Sequence, residues 1–94
     1  MAMTLLATLK VKKDKIEEAK EGFRKLAAIV KANEPGTQAY VFYQRKDEPA
    51  TFVVYEKYAN DEAFKKHGEN LRTNGAVLAG VLEGRPEITF LDEV

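Results

Sequence analysis

His67 is the residue best suited to chemistry, because it is the chain's only histidine and the chain has no cysteine. The imidazole is the one side chain whose ordinary pKa lies near neutrality, so His67 is the candidate general base. It shares one helical face with Ala63, Phe64 and Leu71, so we expect it to point inward. Two interpretations stay open: a buried, hydrogen-bonded core histidine, or a base or substrate hydrogen-bond partner in a pocket between helix and sheet.

A carboxylate also falls where apolar side chains are expected. Glu56 alternates with Phe52, Val54 and Tyr58 along one segment, which places it on a mostly apolar strand face. A buried carboxylate is costly unless it is paired. Glu56 is therefore either a strand-end residue paired with a nearby Lys or Arg, or a pocket carboxylate that orients His67 or a substrate hydroxyl.

Four tyrosines crowd the middle of the chain: Tyr40, Tyr43, Tyr55 and Tyr58. Aromatic residues on strands usually fill a core or an interface, and their hydroxyls can also line a pocket for a flat aromatic ligand. The sequence leaves both roles open.

The composition excludes several classes of protein. Its 94 residues fit a single domain, 1–94, and its 15 basic and 15 acidic residues give none of the positive field that nucleic-acid binding needs. Without cysteine there is no disulfide, thiolate nucleophile or cysteine metal site, and a single histidine makes a dedicated metal site improbable. The longest apolar run, 76–82, is too short to span a membrane, and no signal peptide is expected. The default expectation is a cytoplasmic protein with no phosphate-binding glycine loop and no resident cofactor.

The elements that would position these groups follow from periodicity and residue type. Alternation or aromatic and β-branched content predicts four strands, at residues 3–12, 37–45, 51–58 and 87–92. Asp14, with Glu17 three residues later in a capping-box spacing, is expected to cap a first helix, which ends at 33–36 where proline and glycine interrupt it. Apolar residues at three- and four-residue steps form one stripe of this helix: Ile16, Ala19, Phe23, Leu26, Ala27 and Val30. Asn60 is expected to cap a second helix, broken at 74–75 and resumed over 76–82.

The order β-α-β-β-α-β predicts an α+β, ferredoxin-like fold: a four-stranded antiparallel sheet with both helices on one face. The central strands are apolar or aromatic on both sides, since Val41 and Tyr43 oppose Tyr40 and Phe42. Two helices cover only one face of a sheet. We therefore expect a homodimer in which a second copy covers the other face by sheet-to-sheet packing.

The region 34–67 resembles the antibiotic biosynthesis monooxygenase (ABM) family. The matching pieces are Glu34-Pro35-Gly36, Tyr40, Asp47-Glu48-Pro49, Phe52-Val53, Glu56-Lys57-Tyr58 and Glu62-Ala63-Phe64 with His67. The resemblance implies a dimeric α/β barrel with a pocket in each subunit between sheet and helices. It also implies oxygenation of quinols, anthrones or similar polyphenols with O₂, without metal or flavin.

On that resemblance, a small aromatic substrate and O₂ are the expected partners, and His67 is the expected base. Glu56 would orient it, and Tyr40 and Tyr58 would be donors or pocket walls. Phe42 and Phe64 would contact the substrate. Haem degradation is disfavoured, because the chain has no Trp and no second His. Two alternatives remain: an isomerase or lyase that uses the same pocket, or a non-enzymatic ligand-binding or stress-associated dimer.

Overall fold

The computed structural model describes residues 2–94. Its central element is one four-stranded antiparallel sheet. The strands are β1 (Met3–Lys10), β2 (Thr37–Gln44), β3 (Thr51–Tyr58) and β4 (Glu87–Leu91), and the α-helices are α1 (Ile16–Asn33) and α2 (Asp61–Asn74). The strands lie in the order β2-β3-β1-β4. This confirms the ferredoxin-like prediction of four antiparallel strands with two helices in the order β-α-β-β-α-β.

The core lies between the sheet and α1. The strand order makes β3 and β1 the two central strands of the sheet. Ala7 in the middle of β1 is paired with Val54 on β3 and with Ile88 on β4. The buried side of α1 places Phe23 against the sheet, where its ring stacks on Phe42 at 4.6 Å between centroids. The predicted apolar stripe of α1 is confirmed, since Ala19, Phe23, Leu26 and Val30 are buried.

The start of α1 differs from the prediction. Asp14 does not cap the helix, which begins at Ile16 with no side-chain hydrogen bond at its cap position. Asp14 instead lies inside a 3₁₀ turn, Lys13–Lys15, closed by a hydrogen bond from the Lys15 amide to the Lys12 carbonyl at 2.9 Å. Asp14 is therefore a residue of this turn, and the cap position of α1 is Lys15.

The predicted cap of α2 is confirmed, because the Asn60 side chain accepts a hydrogen bond from the Ala63 amide at 2.9 Å. The predicted resumption of this helix over 76–82 is wrong. A 3₁₀ turn, Gly75–Leu78, follows α2, and the chain then turns at Gly80, whose φ is +78°. Beyond it, the Lys12 amide donates to the Val81 carbonyl at 2.9 Å. The apolar run is therefore used to pair with the chain that leaves β1.

The sheet face away from the helices carries apolar and aromatic side chains. Val41 is 41% exposed and Tyr43 57% exposed, and Val53 and Tyr55 are half-buried beside them. This two-sided pattern agrees with the sequence, and the dimer inferred from it stays a prediction. No helix within residues 2–94 combines the length and the apolar character needed to cross a lipid bilayer.

Candidate active site

A cavity of about 570 Å³ lies between the sheet, α2 and the segment that leads to β4. Its walls are mostly apolar, with Leu5 and Ala7 from β1 on one side and Phe90 from β4 on another. The polar and titratable side chains that line it are Tyr40, Glu56 and His67. Tyr40 and Glu56 are opposite each other on β2 and β3, and the Tyr40 ring lies 4.8 Å from the imidazole, so these groups form one cluster.

His67 is the one buried residue of α2, a helix described along its whole length. Its Nδ1 lies 2.9 Å from Oε1 of Glu34, the residue that directly follows α1. The same Oε1 accepts a hydrogen bond from the Thr37 hydroxyl at 2.8 Å, and Asn70 donates to Oε2 at 3.2 Å. The buried carboxyl group of Glu34 thus has three polar partners on two elements, Thr37 on β2 and both His67 and Asn70 on α2, as burial of a polar group requires.

The other imidazole nitrogen has a different environment. Nε2 of His67 is buried and has no hydrogen-bond partner within residues 2–94. The closest carboxylate oxygen on that side is Oε1 of Glu56 at 3.8 Å, which is too long for a hydrogen bond. Nε2 therefore faces the cavity-lining Glu56, whereas Nδ1 faces Glu34 behind it.

Glu56 is also tied to Tyr58, whose hydroxyl donates to its Oε1. Burial raises the pKa of the Glu56 carboxyl above its usual range, although the Tyr58 hydrogen bond and His67 act in the opposite direction. Burial, followed by the negative charges of Glu56 and Glu34, raises the pKa of Tyr40. Burial and the bond to Glu56 raise that of Tyr58. Both tyrosines therefore remain hydroxyl donors across the physiological range.

All but one of the sequence-predicted site residues line the cavity. His67, Glu56, Tyr40, Phe42 and Phe64 all line the cavity. Tyr58 is fully buried and is not among the lining residues, so it supports Glu56 instead of forming a wall.

Glu34 is the site residue that sequence reasoning missed. The sequence places Glu34 in the helix stop and in the Glu34-Pro35-Gly36 piece of the family resemblance, without a role beside His67, and predicts Glu56 as the group that orients His67. In the structure, Glu34 makes the hydrogen bond to the imidazole and Glu56 does not. The one local signal was Thr37, three residues later, whose hydroxyl bonds to the Glu34 carboxylate.

Gly36 explains how Glu34 reaches α2. A Cβ atom at this position would lie 2.7 Å from the Cβ of Ala63, closer than two carbons can approach. Only glycine lets the loop after α1 pass so close to the first turn of α2. The loop and the helix are thereby held in the register that joins Glu34 to His67.

The raised pKa of Glu56 gives a pH-dependent prediction. Between the ordinary value of 4.5 and the raised pKa in the fold, the native protein binds more protons than the unfolded chain. The free energy of unfolding therefore falls as pH rises through this window. Glu56→Gln keeps an acceptor for Tyr58 and carries no charge, so its stability relative to the wild type should increase from about pH 4 upward.

Urea denaturation of both proteins at about pH 4, 6 and 8 measures this difference. Glu69→Gln is the matched control, because it removes an exposed carboxylate from the outer side of α2 and relieves no burial. A constant difference between Glu56→Gln and the wild type at all three pH values would contradict the prediction.

The described part of the chain, residues 2–94, contains no group of three or more His, Asp or Glu side chains placed to hold a metal ion. The cluster contains an imidazole whose Nδ1 is hydrogen-bonded to Glu34 and whose Nε2 has no partner within the described residues. Tyrosine hydroxyls and an apolar cavity lie beside it. This arrangement suits proton abstraction from a weakly acidic aromatic compound.

Comparison with known proteins identifies the relatives of this chain. The family model described as antibiotic biosynthesis monooxygenase matches residues 2–71. A Bacillus subtilis (strain 168) protein named "Putative monooxygenase YcnE" is 33% identical over 78 residues, which cover 83% of this chain and 81% of that protein.

Solved structures agree. A crystal structure described as a "putative antibiotic biosynthesis monooxygenase" from Caulobacter crescentus CB15 is 39% identical, with a TM-score of 0.89 over 99% of this chain and 90% of that one. A Nitrosomonas europaea protein described in the same words is 24% identical, with a TM-score of 0.87 over 99% and 90% of the two chains, and shares the fold. The family model and these likenesses show that the chain belongs to the antibiotic biosynthesis monooxygenase family.

Proposed function

We propose that this protein is a monooxygenase that oxidises a small quinol, anthrone or similar polyphenol with O₂, using His67 as base and no metal or organic cofactor. The observation that carries the proposal is His67 itself, which lines an aromatic-walled apolar cavity and whose buried Nε2 has no hydrogen-bond partner within residues 2–94. An acceptor left unpaired in a dry site is costly unless a ligand group completes it.

The proposed reaction needs few protein groups besides His67 and Tyr40. With an anthrone-type CH₂, Nε2 takes a proton and leaves a delocalised anion, which gives one electron to O₂. The two radicals combine as a peroxide, and loss of water leaves a carbonyl. One oxygen atom enters the product and the other becomes water, so the substrate supplies every electron. Tyr40, whose pKa is raised mainly by burial, remains a donor for the developing oxyanion.

The charge of the cavity favours an uncharged substrate. Among the described residues that line it, none is Lys or Arg, and Glu56 is the one carboxylate. A phosphate or carboxylate group would enter without a cation to balance it. This disfavours an anionic substrate such as a sugar phosphate, both for the oxygenase and for the isomerase or lyase alternative.

An oxygen electrode tests the proposed reaction. Reduced naphthoquinones and anthrones are added to the protein, and we expect O₂ uptake together with one ¹⁸O atom in the product when ¹⁸O₂ is supplied. Parallel reactions under argon separate the alternatives, because an isomerase or lyase would convert its substrate without O₂. No uptake across a varied phenol panel would remove the oxygenase proposal.

We further propose that two copies pack through the exposed sheet face. Val41 and Tyr43 form part of an apolar patch on that face, and such patches usually mark an interface. Light scattering at micromolar concentration should give a mass of twice 10.6 kDa.

A charged substitution in the patch tests the interface. Tyr43→Lys should shift the protein to a mass of 10.6 kDa. Thr73→Lys adds the same charge at an exposed position of α2 and should leave the dimer intact. A wild-type mass of 10.6 kDa would reject the dimer.

A further inference from the structure

We propose that Glu34 is the positioning residue of the site: it holds the neutral imidazole of His67 in the tautomer that carries its proton on Nδ1. Nε2 is then left as the unprotonated nitrogen beside the cavity. Glu34 is not one of the cavity-lining residues and acts on the site through the imidazole of His67.

The direction of the Glu34–His67 hydrogen bond sets the tautomer of the imidazole. We assign Nδ1 as the donor in its 2.9 Å contact with Oε1, because an ionised carboxyl group only accepts hydrogen bonds. Thr37 and Asn70 donate to the same carboxylate. These two donors hold both oxygens in place and keep an acceptor directed at Nδ1.

On the opposite side of the ring, Nε2 is the nitrogen left without a proton. A neutral imidazole carries one proton, so a proton on Nδ1 leaves a lone pair on Nε2. Glu56 does not compete for the ring, because its Oε1 is 3.8 Å from Nε2 and already accepts the Tyr58 hydroxyl. The Tyr40 and Tyr58 rings lie 4.8 and 5.3 Å from the imidazole, centroid to centroid, and complete the shell of titratable groups that face it.

Burial and close packing hold the Glu34–His67 pair in place. Glu34 and His67 side chains are each about 4% exposed, so water does not compete for their hydrogen bond. The Gly36 contact with Ala63 fixes the loop against α2. An acceptor on the far nitrogen fixes both tautomer and ring orientation, and this same device orients histidines in metal sites and hydrolases.

The single histidine makes the test direct. In ¹⁵N-labelled protein, long-range ¹H–¹⁵N spectra of the imidazole contain signals from His67 alone. At about pH 9, where an ordinary imidazole is neutral, we expect the wild type to show a protonated Nδ1 and an unprotonated Nε2. A wild-type spectrum with the proton on Nε2, or on both nitrogens, would overturn the proposal without any variant.

Variants of the two carboxylates provide the comparison. Glu34→Gln has one acceptor oxygen for three donors, so the proton should no longer be confined to Nδ1, and the spectrum should show Nε2–H. Glu56→Gln is the matched control, because it changes the carboxylate on the other side of the ring and should keep the wild-type tautomer. Far-UV circular dichroism checks that both variants are folded. An unchanged tautomer in folded Glu34→Gln would also overturn the proposal.

The kinetic consequence rests on the proposed function, whereas the tautomer does not. With a quinol or anthrone that the wild type oxidises, Glu34→Gln should lower kcat by about 10- to 100-fold with little change in KM. A base held in the wrong tautomer binds substrate but takes no proton. If no substrate is found, the tautomer result still decides the role of Glu34, so the two failures are distinguishable. Full kcat in a variant that has lost the Nδ1–H tautomer would contradict the positioning role.

Discussion

Replacing His67 with asparagine should lower the turnover of a quinol or anthrone by about 10²- to 10⁴-fold, the usual contribution of a general base. The asparagine amide nitrogen falls near the position of Nδ1, so it can still donate to Glu34. Nothing remains at the position of Nε2. The substitution therefore removes the proposed base while keeping the hydrogen bond that holds α2 to the loop after α1.

Oxygen uptake and product formation measure this loss, and thermal unfolding shows that the variant is folded. Lys66→Ala is the control, because it changes an exposed neighbour on the same helix. Undiminished turnover by folded His67→Asn would exclude His67 as the base. If instead His67→Asn alters stability and neither protein converts any tested compound, the non-enzymatic, ligand-binding dimer becomes the better interpretation.

Phe23→Ala should lower the free energy of unfolding by about 3–5 kcal/mol, a large part of the stability of a small domain. Phe23 is 2% exposed. Its ring stacks on Phe42 at 4.6 Å and meets the edge of Phe52 at 4.9 Å. The substitution removes both contacts and leaves a cavity between α1 and the sheet that rigid strands cannot close.

Chemical denaturation followed by circular dichroism measures this cost. Phe90→Ala is the matched control, because it is the same chemical change at a side chain that is 61% exposed. We expect it to change the free energy of unfolding by about 0.5 kcal/mol or less. Equal losses in the two variants would show that Phe23 is not a central packing residue.

Local periodicity was enough to predict most of the fold. The stripe around Phe23 identified α1, and the aromatic and β-branched runs identified the β2–β3 hairpin within one residue. Asn60 identified the start of α2, because an N-cap depends on a residue only three positions away. The error at Asp14 arose because the sequence spacing fits a capping box equally well whether or not a 3₁₀ turn precedes the helix.

The missed parts depend on residues distant in sequence. The run 76–82 has helical spacing, yet Val81 and Leu82 pair with the chain after β1, some 70 residues earlier. Glu34 contacts a histidine 33 residues later, and no local pattern indicates that pairing. Glu56 is found because a carboxylate on an apolar strand face is anomalous by itself, and Tyr40 because tyrosines cluster on β2 and β3 and the family resemblance includes it. Glu34 is ordinary by that measure, since a polar residue after a helix is expected.

The anchoring of α2 has a consequence for how the site opens. Apart from the half-buried Ala63 and Phe64, which pack against the core, this fully described helix is held by polar contacts with Glu34 in the loop after α1, made by its one buried side chain, His67, and by Asn70. Apolar burial resists local unfolding more strongly than such contacts do. We therefore expect backbone amides of α2 to exchange with solvent faster than those of β1 and β3. Each brief release of α2 would separate the base from its carboxylate and uncover the cavity. On the proposed function, α2 would then both carry the base and uncover the entrance for an aromatic substrate.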